Sequence, residues 1–245
     1  MSLLSIVRPF NSQTLLLISL FALPAQSQTP VCQAPDPALD ASHLSARYRI
    51  SNDKGETREL TLLRSPNRVI YQHHPHHFEL WDRRGDYVRY FPSAKRSVTY
   101  AKGDLLSLNM QVNFDKLNQL MSPKTLQHST LQSKDTCQAW QHYHALQTDK
   151  KITLTWHESL ALPQSLTAQS ANELIHYQLI ELKAFSETAF NQQIAGYQDI
   201  DFADVGDNES DPFLAKMIHQ GFIQQGSSGF YDSQGNPLSA AGHSH

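Results

Sequence analysis

From Leu44 to Ala101 the chain is a succession of short alternating segments, about ten residues apart, each closed by turn residues. The segments are Leu44–Ser51, Thr57–Arg64, Arg68–Gln72, Phe78–Asp82, Tyr87–Phe91 and Arg96–Ala101. Between them stand Asn52-Asp53-Lys54-Gly55, Ser65-Pro66-Asn67, Arg83-Arg84-Gly85-Asp86 and Ser93-Ala94-Lys95. In Thr57–Arg64, Leu60 and Leu62 alternate with polar neighbours, so one face of a strand is apolar and the other solvated. Gly, Asn, Asp, Ser and Pro at these points favour tight turns over crossover connections. Such a run predicts an antiparallel meander.

The period then changes. Leu105, Leu108, Val112, Leu117, Leu120 and Met121 recur at spacings of three to five residues. That predicts one or two helices between Leu105 and Met121, ended by Pro123. Alternation returns afterwards. Trp140, His142, His144 and Leu146 share one face of a strand, and Ile152, Leu154 and Trp156 share a face of the next. Glu173–Phe185 is the longest such run. Near the end, Asp211 fits an N-cap, Pro212 the first helical position and Gly221 the residue after the helix, which predicts a short helix over Pro212–Gln220. Phe213, Leu214, Met217 and Ile218 give it one apolar face.

The first 27 residues have a different character. A single charge, Arg8, precedes the apolar run Thr14–Leu23, and Ala25-Gln26-Ser27 places small residues at a cleavage site. This is the pattern of a cleaved secretory leader. A membrane anchor is the alternative, but a spanning helix needs about 18 or more apolar residues. Acylation at Cys32 is a further alternative, weakened by Val31 where a small residue belongs. An exported chain with two cysteines, Cys32 and Cys137, is expected to join them in one disulfide. Closing a loop of about 100 residues contributes ~4–5 kcal/mol in the chain-entropy model. Three regions follow: a leader over 1–27, a half-barrel domain over 28–195, and an acidic, short-helix extension over 196–245.

Charge and motif narrow the function. Lys and Arg number 20 against 23 Asp and Glu, with no basic stripe, which argues against nucleic acid. No phosphate-binding glycine loop occurs. His157-Glu158 opens a zincin-like phrase, but Ala161 stands where the second histidine belongs. Gly226-Ser227-Ser228-Gly229 lacks the closing glycine of a nucleophile elbow, Phe230 taking its place. No nucleophile–base pair or carboxylate pair can be named, so the expectation is a protein that is not an enzyme and needs no cofactor. Histidine is over-represented, at 13 residues. His73, His74, His76 and His77 cluster in one loop and form a candidate Zn²⁺ or Cu²⁺ site. The alternative is an exposed polar loop. The aromatic strand residues Trp81, Tyr90, Phe91, Trp140 and Trp156 fit either the core of a β domain or the lining of a cavity.

Glu79-Leu80-Trp81-Asp82, the Tyr90-Phe91 hairpin, the Leu/Met-rich helical insert and Ile152-Thr153-Leu154-Thr155-Trp156 followed by Leu162-Pro163 resemble the lipoprotein-carrier-like group, which includes the lipoprotein localisation factors. The resemblance covers about residues 42–185. The His-rich loop and the acidic tail have no counterpart in it. It implies a mainly β (α+β) fold: a curved antiparallel half-open β-barrel wrapped around one or two helices, here with a short C-terminal helical extension. It also implies a periplasmic carrier for an apolar ligand, such as a lipid or an acylated protein. Trp81, Met110, Leu117, Met121, Trp140 and Trp156 are the expected cavity residues. A periplasmic metal-binding protein using the His loop and an assembly partner using the C-terminal helix are the alternatives.

Overall fold

The computed structural model describes residues 39–135, 139–147, 150–208 and 210–223. The leader over 1–27 and the Cys32–Cys137 pair lie outside the described residues. The alternating segments form six consecutive antiparallel strands: β1 (Leu44–Asn52), β2 (Thr57–Ser65), β3 (Arg68–Gln72), β4 (Phe78–Asp82), β5 (Tyr87–Phe91) and β6 (Arg96–Tyr100). A second antiparallel run comprises β7 (Thr130–Lys134), β8 (Trp140–Gln147), β9 (Lys150–His157), β10 (Leu162–Gln169) and β11 (Leu174–Ala184). β11 pairs with β1 from Leu44↔Ala184 to Asn52↔Ile175, which joins the two runs into one sheet. β12 (Gln198–Asp201) adds to the far edge, parallel to β6. The order β12-β6-β5-β4-β3-β2-β1-β11-β10-β9-β8-β7 leaves two edges, so the sheet is not a closed barrel.

The sheet is nevertheless strongly curved. Register shifts interrupt the pairing at Arg47/Tyr48, Leu131/Ser133 and Pro163/Ser165. Such bulges bend a strand and increase its twist. The inner face shows the result: Tyr48 of β1, Val98 of β6 and Trp156 of β9 belong to one buried apolar cluster, although β6 and β9 are eight places apart in the sheet. Only a sheet wrapped around its own contents brings them to one core. The opposite face carries a smaller cluster, Leu63, Ile70, Phe78, Leu80 and Tyr90, under Phe190 of α4 (Glu187–Ile194).

The inner face is covered by α1 (Lys102–Ser107), α2 (Phe114–Gln119) and α3 (Pro123–Gln127). Pro123 was expected to end this helical stretch. Instead it opens α3, because at the first helical position a proline loses no hydrogen bond and its φ is already helical. α2 begins where the Asn113 side chain accepts the Lys116 amide N–H at 3.0 Å. It stops at Leu120, buried in the left-handed conformation at φ 59°. The last carbonyls of a helix have no partner within it. Here two buried donors from the sheet supply them: the Tyr71 hydroxyl donates to the Leu117 carbonyl at 2.5 Å, and the Arg64 guanidinium to that of Asn118. Arg64 also donates to the carbonyls of Ala41 and Leu160, at 3.0 and 2.7 Å.

β7, β10, α4 and β12 go beyond the elements named from the sequence. β12 lies in the acidic tail, where Asp199 accepts hydrogen bonds from Ser97 and Thr99 of β6 at 2.6 and 2.9 Å. α5 (Pro212–His219) forms as expected, with the Asp211 side chain accepting the Phe213 N–H at 2.8 Å. Gly221, at φ 74°, turns the chain out of the helix. Leu214, Met217 and Ile223 enter the inner core. No helix among the described residues is long and apolar enough to cross a membrane.

Candidate functional site

Five of the six expected cavity residues share one place. Trp81, Met110, Leu117, Met121 and Trp156 lie in the inner cluster, each between 3 and 9 % exposed. All five belong to the same buried cluster, and α2 is held by the Tyr71 and Arg64 donors. Trp140 falls elsewhere. In the β8–β9 register Gln141 opposes Trp156, while Trp140 opposes His157 and meets its ring at 4.8 Å. One residue's difference in register turns a side chain to the other face of a sheet, so Trp140 belongs to the outer face.

The His-rich loop between β3 and β4 divides between surface and interior. His76 is exposed, and its ring lies 6.4 Å from Phe222. His77 is buried between Phe91 and Phe222, at 6.0 and 5.3 Å. His74 stacks on His77 at 4.4 Å and meets His73 at 4.3 Å. Ring stacking turns the faces, not the nitrogens, toward one another. Among the described residues no group of three or more His, Cys, Asp or Glu converges as a metal-ligand set. Both His77 nitrogens lack a hydrogen-bond partner among the described residues, and Nε2 stands 3.8 Å from Glu79 Oε1. Burial, assisted by the positive charge of Arg89, pushes the His77 pKa down to about 2. Burial and the neighbouring His73 bring His74 down to about 4. These imidazoles are therefore neutral at ordinary pH.

Beneath the loop lies a buried polar knot. Glu79 and Arg89 are a cross-strand pair of β4 and β5, and Arg89 donates to Glu79 Oε1 at 3.1 Å. The Tyr87 hydroxyl donates to the same oxygen at 3.1 Å and accepts from Arg89 Nε at 2.8 Å. The second end of the guanidinium donates to the Phe222 carbonyl, just past α5. The knot thus fixes the segment after α5 against the sheet.

A cleft of about 970 Å³ opens at this point. One wall is α5 and the residues after it: Phe213, Lys216, Met217, His219 and Phe222. The other is formed by His76, by Phe91 and by the β5–β6 turn at Ser93 and Ala94. The rings of Phe91 and Phe213 meet at 5.2 Å, and Arg96, paired with Asp211 at 2.9 Å, lies 4.9 Å from the Phe213 ring. The walls are mainly apolar and aromatic, with a few polar groups, which is the composition of small-molecule sites. The volume also falls in the range of such sites. The sequence showed the apolar face of the C-terminal helix and the Phe91 hairpin separately. Nothing local linked them, because the pairing of β12 with β6 is what brings the tail to this edge.

No protein-family model and no curated protein matches this sequence. Among solved structures, the chain is similar to PNGF-II at 7 % identity, over 64 % of this chain and 30 % of that one, with a TM-score of 0.38. It is also similar to the Pseudomonas aeruginosa MucA/MucB complex at 13 % identity, over 64 % and 58 %, with a TM-score of 0.41. A DUF1329 family protein from Desulfovibrio piger is matched at 10 % identity, over 62 % and 90 %, with a TM-score of 0.30. The matched part spans about a third of the PNGF-II chains and 58 % of the MucA/MucB chain. Likeness of this degree does not extend to individual residues or to chemistry.

Proposed function

We propose that the protein is a non-enzymatic binding or carrier protein for an apolar ligand, such as a lipid or the acyl chain of an acylated protein, and that it works in the periplasm. The ligand's seat is the cleft between α5, the His loop and the β5–β6 turn. The observation that carries this proposal is the cleft itself: about 970 Å³ bounded by Phe91, Phe213, Met217 and Phe222. Burying an acyl chain there contributes about 0.8 kcal/mol per CH₂. The inner face is a poorer seat, because its residues are buried in the core cluster and its cover is latched by Tyr71 and Arg64. The metal-binding alternative has less support, since the loop histidines form no metal-ligand set among the described residues. The periplasmic setting rests on the leader pattern of residues 1–27.

The test is native mass spectrometry of protein purified from a bacterial periplasm, with lipid extraction and displacement by a fluorescent fatty acid. Acyl lipid should co-purify and be displaced. Ser93→Trp, which places an indole at the exposed rim, should cut probe affinity at least about tenfold with folding intact. Protein that is empty and binds no acyl probe would overturn the proposal.

A further inference from the structure

The charge on the cleft is one-sided. Its lining holds one lysine, Lys216, and two imidazoles, His76 and His219, and no carboxylate among the described residues. All three groups are exposed, at the mouth, whereas Met217 and Phe91 are buried at its base. The nearest acid on α5, Asp211, is taken up by Arg96 at 2.9 Å and by the Phe213 N–H at 2.8 Å. Lys216 is exposed and lines the cleft, and no ion pair joins it to a described residue. Cations near a helix C-terminus are favoured by the helix dipole. That accounts for their place on α5 but not for their facing an apolar cleft, with His76 completing the rim from a different segment.

From this arrangement we propose that the cleft selects a single-chain amphiphile with an anionic head: the chain lies along Phe91, Phe213, Met217 and Phe222, and a carboxylate or similar head is held at the mouth by Lys216, His76 and His219. This rests on the cleft being the apolar-ligand seat and adds the class of ligand. A cationic head of the same chain length meets like charge at Lys216 and no acid, so it is disfavoured. An amphiphile with a neutral head fills the apolar part without engaging the rim.

The experiment is isothermal titration calorimetry of the full mature chain with three ten-carbon probes: decanoate, decyltrimethylammonium and decanol. Decanoate should bind about fivefold or more tighter than decyltrimethylammonium at low salt, the range for an exposed to half-desolvated ion pair. Raising the salt to about 1 M should shrink the difference. Lys216→Glu, checked for folding by circular dichroism, should abolish or reverse it. If decanol and both ionic probes bind but the ionic probes bind equally, anion selection is overturned while the apolar cleft stands. If none of the three binds, the cleft itself is not the ligand seat, and the inference falls with it. A zero-length carbodiimide cross-link from Lys216 to Asp232 in probe-free protein would assign the mouth to the chain's own end, and that would also overturn it.

Discussion

At the scale of single residues, the most consequential groups are polar ones that the chain buries. Arg89 and Glu79 are 2 and 3 % exposed, and each depends on the other. Removing one partner of a buried pair leaves an uncompensated charge and costs about 3–5 kcal/mol, whereas replacing both with apolar groups is often close to neutral. Arg89→Leu should therefore lower the unfolding free energy in urea by about that amount, and Arg89→Leu with Glu79→Leu should recover most of it. The recovery is incomplete because the Phe222 carbonyl loses its donor as well. Equal destabilisation by the single and double changes would contradict the knot. His77 gives a pH signature. Its folded pKa lies near 2, below its ordinary value of 6.5, so the unfolded chain binds more protons between those values. Stability should be full above about pH 6.5 and fall as the pH drops, by up to about 1.4 kcal/mol per pH unit from this residue. Asp211 is also held below its ordinary range, by its hydrogen bonds to Arg96 and the Phe213 amide, but it acts only below about pH 4. Urea unfolding at pH 8, 7, 6 and 5 should show the slope, and His77→Phe should reduce it, leaving the part that His74 and His73, also held below their ordinary value by burial, contribute. An unchanged slope in that variant would contradict the burial of a neutral imidazole. None of this was legible in the sequence, where the five-residue loop offered only a count of histidines.

At the scale of elements, local signals were enough wherever the chemistry is local. The ranges Arg68–Gln72, Phe78–Asp82 and Tyr87–Phe91 coincide with β3, β4 and β5, because alternation and flanking turn residues define each one by itself. The Asp211-Pro212 start and Gly221 stop placed α5 for the same reason. β7 could not be found this way. All five of its residues are exposed and mostly polar, so no alternation marks it. β12 is equally polar and is a strand only because β6, a hundred residues earlier, offers it an edge. The cover of the inner face was legible as an apolar period, but its division into three helices was not, since α2 ends on donors from β2 and β3. These latches make a specific prediction. Leu120 is fully buried and Leu117 is 9 % exposed, so Leu120→Asp and Leu117→Asp each place a charge in the core. Each should cost more than about 3 kcal/mol in chemical denaturation, Leu120→Asp the more. Wild-type stability in both would mean the cover does not rest on the sheet.

At the scale of the whole molecule, the curved sheet around its helices was expected, whereas the location of the candidate site was not. The sequence pointed to the inner face as a cavity. The structure buries Trp81, Met110, Leu117, Met121 and Trp156 in the apolar cluster of that face, while an open cleft forms at the β6 edge where the tail returns. The cleft's walls come from the loop before β4, the turn after β5 and the helix after β12, three segments brought together only by the completed sheet. No window of sequence contains it. The same fact identifies the most direct test of the central claim, that the ligand seat is the α5 cleft and not the interior of the half-barrel. A fatty acid bearing a photoreactive diazirine at its chain end can be irradiated with the protein and its adducts located by peptide mass spectrometry. Adducts concentrated in Pro212–Phe222 and around His76 and Phe91–Ala94, and competed away by unlabelled fatty acid, are the predicted result. Adducts at Met110, Leu117 or Met121 would return the site to the inner face and contradict it.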